Sequence, residues 1–146
     1  MKRPLTMIAA ALISLSGLTQ VQATDSREII WLSAAERSAL MEEMRKFLST
    51  SQQILVATLV EDMARVESVA RPMGVKLMKE TPQSLTEKLP TGFTQLGPQA
   101  HLGFEDIADE ASGLGDQKVI LQRLAELQTS CVACHAVYQI KVREEK

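Results

Sequence analysis

The sequence predicts an all-α fold, an antiparallel four-helix bundle, from three observations. Seven Gly and five Pro in 146 residues are too few for a turn-rich β protein. Ala, Leu, Met, Glu and Gln are plentiful while aromatic residues make up only 3% of the chain, which favours helices over strands. Four stretches repeat apolar residues at helical spacing, joined by short links and one longer crossover. With 45% hydrophobic and 23% charged residues the chain has the composition of a globular domain and not of a disordered tail.

Residues 1–23 are set aside from the fold as a signal peptide. Lys2 and Arg3 precede an apolar stretch from Leu5 to Leu18, and Val21-Gln22-Ala23 offers a small-residue cleavage site. The stretch is shorter than a membrane span needs, and no later one is long enough and free enough of charge to cross a bilayer. The mature chain, residues 24–146, is therefore expected to be a single exported domain with no membrane span. It holds 14 basic against 18 acidic residues, a formal charge of −4, and lacks a basic block to neutralise phosphates, so nucleic acid is not an expected partner.

The first helix opens at Ser33, with Glu36 three residues on in the capping-box pattern. Leu40, Met44, Phe47, Ile54, Leu55 and Leu59 then recur at helical spacing to about Val60. Glu61-Asp62 marks a corner, and Met63, Val66, Val69 and Ala70 form the inner stripe of a short second helix that meets Pro72 and Gly74. Lys79 to Pro90 is polar, contains two prolines and is expected to be the crossover, with one turn of helix inside it. Phe93, Leu96, Ala100, Phe104, Ile107 and Ala108 define the third helix, in which Gly97, Pro98 and Gly103 are expected to introduce a kink. Gly113, Gly115 and Asp116 end it and cap the fourth, which carries Ile120, Leu124, Leu127, Cys131, Cys134 and Tyr138 on one side. The acidic runs Glu105-Asp106 and Asp109-Glu110 are expected to be a solvated face.

The chemically specific feature is Cys131-Val132-Ala133-Cys134-His135, which uses both cysteines and one of the two histidines of the chain. C-x-x-C-H is the arrangement of covalent haem attachment. On a helix, positions i, i+3 and i+4 share a face, so both thiols can add to the vinyl groups of one haem while His135 ligates its iron. Export agrees with this chemistry. Two other chemistries use the same atoms. A thioredoxin-like pair would need a βαβ context and a C-x-x-C that opens a helix. A zinc site made of Cys131, Cys134, His135 and His101 would need adjacent Cys134 and His135 to close on one tetrahedral ion from a continuous helix.

The run Cys131-Val-Ala-Cys134-His135-Ala-Val-Tyr138 resembles the class II c-type cytochromes, meaning cytochrome c prime and its low-spin Met/His relatives. The resemblance extends in helix order and length over the mature chain, but only the haem motif and Tyr138 are specific to it. It implies one covalently attached haem c near the C-terminus and Tyr138 beside the cofactor; the family includes dimers built from the first two helices, which leaves a homodimer open, and the signal peptide makes the expected location periplasmic. Family members commonly follow the tyrosine with a basic residue, where this chain has Gln139, so Lys141 or Arg143 would have to supply a propionate contact.

In the low-spin relatives the sixth iron ligand is a Met of the first helix, which makes Met41 and Met44 the candidates. The run Arg37-Ser-Ala-Leu-Met41 is similar to the family's Arg-x-x-x-(Leu/Met) and points to Met41. The helical wheel favours Met44, which lies in register with Leu40 and Phe47. Ordinary core filling is the competing role for either thioether. His101 is a further candidate ligand, more simply a hydrogen-bonded structural residue. No Ser/His/Asp set and no phosphate loop beside a strand points to an enzyme. A closed, six-coordinate iron implies a single-electron carrier that docks with redox partner proteins. An open one implies a protein that binds nitric oxide or carbon monoxide.

Overall fold

The computed structural model describes residues 24–144, so the expected signal peptide lies outside the described residues. The chain is mostly helical. Strand β1 (Glu28–Leu32) is followed by α1 (Ala34–Leu59), α2 (Met63–Ala70), a 3-10 turn (Arg71–Met73), α3 (Val75–Glu80), α4 (Gln83–Thr86), α5 (Thr91–Ser112), α6 (Gln117–Val137) and strand β2 (Tyr138–Val142). No described helix is long and apolar enough to cross a membrane.

The helix boundaries follow local chemistry. Ser33 Oγ accepts from the Glu36 amide at 3.3 Å and the Glu36 carboxylate accepts from the Ser33 amide at 2.9 Å, closing the reciprocal cap. At the other end of α1 the chain turns through Glu61, whose φ of 58° is left-handed, and Asp62 then caps α2 by accepting from the Arg65 amide at 2.9 Å. Pro72 has no N–H for a further helical turn and sits in the 3-10 segment that ends α2. Asp116 caps α6 through the Val119 amide at 3.0 Å.

α5 packs along α6 and against α2, and α1 packs on α2 and on α6. Gly103 of α5 faces Leu127 of α6. A Cβ there would lie 2.9 Å from the Leu127 side chain, so this glycine serves the packing of the two helices. The main core gathers Ile54, Val66, Phe104, Ile107 and Ile120, all fully buried. A second, smaller core holds Ile30, Leu32, Leu40, Leu85 and Phe93, and Met44 packs against both.

The mostly helical chain agrees with the all-α expectation, which did not include a parallel two-stranded sheet in which Glu28 pairs with Tyr138 and Leu32 with Val142. Ile30 and Leu32 point into the smaller core while Trp31 is exposed, the alternation of a strand with one buried face. Tyr138 therefore starts β2 and does not continue α6. The acidic face of α5 is also partnered. The Arg71 guanidinium binds Glu105 at 2.7 Å together with Asp109 and Glu67, and Arg123 approaches Asp106 and Glu110 at 3.8 and 3.7 Å. Those carboxylates hold Arg71 above its ordinary pKa, led by Asp109 and Glu105.

Candidate functional site

A cavity of about 740 Å³ opens where the two cores meet, and it brings together most of the residues singled out by the sequence. α1 contributes Met41, Met44 and Phe47, and α5 contributes Phe93, Ala100 and His101. Cys131, Cys134 and His135 border the cavity from the last turns of α6. Its size falls within the range of about 300–1,000 Å³ that small-molecule and cofactor pockets occupy. The connector between α2 and α5 closes one side with Met78, Leu85 and Leu89. The spacing of Leu85 and Leu89, i and i+4 within a polar segment, was the available signal for that contribution.

The two cysteines are free, half-buried thiols. Cys131 packs against the main core and Cys134 against the smaller one, so the motif straddles the same boundary that Met44 straddles from α1. Burial pushes both thiols above the ordinary cysteine pKa, and the neighbouring Cys131 adds to the rise at Cys134. A redox-active dithiol needs the opposite shift, commonly provided by a helix N-terminus, whereas these sit at the C-terminal end of α6. Among the described residues no group of three or more His, Cys, Asp or Glu is placed to hold a metal ion, so Cys131, Cys134, His135 and His101 do not converge as a tetrahedral set.

His135 is exposed at the rim, with its backbone held from the segment that precedes β1. The Arg27 guanidinium donates to the His135 carbonyl at 3.2 Å and to the Tyr138 carbonyl at 3.4 Å, and the Gln139 amide donates back to the Arg27 carbonyl at 2.9 Å. These bonds satisfy carbonyls at the end of α6 that have no partner within the helix. The sheet and Arg27 thus fix the residues on the C-terminal side of the motif.

His101 is placed otherwise than a ligand requires. It is 95% buried, since only 5% of its surface is exposed, and both ring nitrogens are engaged. Nδ1 donates to the Met73 carbonyl at 2.9 Å, and Nε2 faces Glu43 Oε1 at 3.4 Å. The Phe47 ring stands edge-on to it at 5.0 Å. Burial works to lower the His101 pKa, but the Glu43 carboxylate and the Met73 carbonyl outweigh it and the net shift is upward. Nothing in the sequence pairs Glu43 with His101, because the contact joins two helices far apart in the chain.

Tyr138 stands behind the cavity wall, outside the residues that border it. Its ring meets Phe93 at 5.7 Å, and its hydroxyl lies over Gly92, where a Cβ would come within 2.3 Å of it. Phe93 and Phe47 are the aromatics that border the space, while Phe104 belongs to the main core and does not border it. Lys141 on β2 and Arg143 just after it do not border the cavity, whereas Arg45 of α1 does.

No family model, no curated protein and no solved structure matches this chain.

Proposed function

We propose that the protein is a mono-haem c-type cytochrome, a four-helix bundle of the class II kind, exported to the periplasm and acting as a single-electron carrier between redox partner proteins. One observation carries the reading. The only two cysteines of the chain and the histidine that follows them border one largely apolar cavity, and two thioether side chains of α1 border the same cavity.

The residues fit a covalently held haem on three counts. Cys131 and Cys134 are unpaired thiols separated by one helical turn, as attachment to two vinyl groups requires. His135 lies next to them at the rim, where its imidazole can serve as an axial ligand. The nitrogens of His101 are occupied by Met73 and Glu43, which leaves Met44 and Met41 as the favoured sixth ligands. Met44 touches both cores and so is the more firmly held of the two. The closed set of contacts among α1, α2, α5 and α6 supports the bundle assignment.

When bound, haem supplies a one-electron iron couple. The chain's own residues set the conditions for it. Leu40, Phe47 and Phe93 exclude water, and the engaged His101 keeps a polar wall fixed in place. Arg27 and the sheet hold the backbone around His135, which would keep its imidazole in place as an iron ligand.

The test is the visible spectrum of the chain exported by a host with haem-attachment machinery, oxidised, reduced and under carbon monoxide. A low-spin spectrum insensitive to the gas supports the carrier, and Met44→Ala then converts it to a high-spin one while Met41→Ala leaves it low-spin. A high-spin spectrum in the native chain that shifts on gas addition would replace electron transfer by nitric oxide or carbon monoxide binding. Absence of covalent haem removes the proposal.

A further inference from the structure

We infer that Arg45 is the residue that receives a propionate carboxylate of the bound haem, an inference that rests on the haem reading above. It follows from the charges that border the cavity. Glu43, Arg45, His101 and His135 are the ionisable residues of its wall besides the two thiols. Glu43 faces His101 at 3.4 Å, so this carboxylate and this ring answer one another. Arg45 is the one permanent cation of the wall, and among the described residues it makes no ion pair and no side-chain hydrogen bond.

Its neighbour provides the contrast. Lys46 is bound to Glu42 at 2.7 Å and does not border the cavity. Helix geometry therefore divides two adjacent cations of equal charge, turning one toward the cavity and one toward a surface carboxylate. The basic residues after the motif are in no position to substitute, because neither Lys141 on β2 nor Arg143 just after it borders the cavity.

Haem brings two carboxylates into a wall whose own carboxylate is already engaged. A buried or half-buried anion needs a cation or several donors beside it. A guanidinium meets this need with two parallel N–H groups that match the two oxygens of a carboxylate. Arg45 also sits on the helix that carries Met41 and Met44, four residues after the first and one after the second. A ligating thioether and a propionate contact would then both come from α1, while the thiols that would hold the haem covalently come from α6.

The experiment compares the native exported chain with Arg45→Gln, Arg45→Lys and Lys46→Gln. Covalent haem is confirmed by mass in each before any potential is measured, so failure of the haem reading is seen separately and first. The reduction potential is then determined by spectroscopic titration. Removing a cation beside the haem favours the more positive, oxidised iron. At a fixed poise Arg45→Gln is expected to raise the oxidised-to-reduced ratio by about three- to tenfold. Arg45→Lys keeps most of the native value because it keeps the charge, and Lys46→Gln leaves the ratio unchanged. The inference is overturned if Arg45→Gln matches the native potential, or if Lys46→Gln shifts it equally, since a general loss of surface charge would then explain the effect. Arg45 is exposed and outside both cores, so circular dichroism of Arg45→Gln is expected to match the native helix content.

Discussion

The end of the molecule around Phe104 and the end around the cysteine motif use the same residue types and reach opposite packing. Around Phe104 the helices interlock, and Ile54, Val66, Phe104, Ile107 and Ile120 retain no exposed surface. Around the motif, Leu40, Met44, Phe47 and Phe93 stand about an open space, and two further apolar residues at its border, Leu48 and Val132, are 74% and 69% exposed. Protein interiors normally pack to crystal-like density, and unfilled apolar space forfeits contacts on every wall. A chain able to close one end so completely has left the other end apolar and open, which is the pattern of a site with an occupant.

Paired truncations of phenylalanine test this difference most strongly. Phe104→Ala is expected to cost about 3–5 kcal/mol in denaturant unfolding, because it removes a ring fully enclosed by side chains. Phe93→Ala, which widens a space already present, is expected to cost about half as much in the polypeptide alone. If the chain carries the haem of the proposed function, the two losses should converge in the loaded protein, since Phe93 would then contact the cofactor. Equal losses in both preparations would mean that the cavity end is as tightly packed in solution as the other.

A smaller effect is expected at the pair that joins α1 to α5 beside the cavity. Glu43→Ala leaves the buried His101 Nε2 without its partner, and such a loss costs about 1–3 kcal/mol. The penalty should depend on pH. The His101 pKa is raised above its ordinary 6.5 in the folded chain, so the stabilisation is complete below that value and fades as pH rises through the folded pKa. Unfolding curves for native and Glu43→Ala chain should therefore approach one another as pH is raised. A gap that widens instead would mean that the pair does not hold His101 in its charged form.

The comparison also separates what the sequence reveals from what it conceals. Signals confined to a few neighbouring residues were legible: the cap at Ser33, the corner at Glu61 and Asp62, the cap at Asp116, and the thiols and His135 on one turn of α6. The register of Met44 with Leu40 and Phe47 was legible for the same reason. The β1–β2 pairing was not, because it joins strands of five residues more than a hundred positions apart, and neither has a partner nearby in the chain. Nor was the salt bridge of Glu105 and Asp109 to Arg71, since the guanidinium arrives from another helix. Glu43 and Arg45 belong to this second group. Both look like ordinary outer-face charges of α1 until α5 and α6 are set beside it.

The smallest effect is expected at the cap that ties α1 to the far wall of the cavity. The Glu36 carboxylate completes the Ser33 cap and also binds Lys88, next to Leu89 in the connector that borders the space. Ser33→Ala should cost about 0.5–2 kcal/mol, the range for loss of a helix N-cap. Lys88, followed by the Ser33 amide, holds the Glu36 pKa down from its ordinary 4.5 to about 2. A carboxylate lowered in this way stabilises the fold above the unfolded value, and the contribution is lost as pH falls from 4.5 toward 2. Acid titration followed by circular dichroism should show Glu36→Gln already lacking this increment at neutral pH and responding less steeply below pH 4.5. If near-ultraviolet signals change in that interval before helix content does, the connector has released the cavity end while the Phe104 end stays packed. Simultaneous loss of both signals would instead make the two ends one cooperative unit.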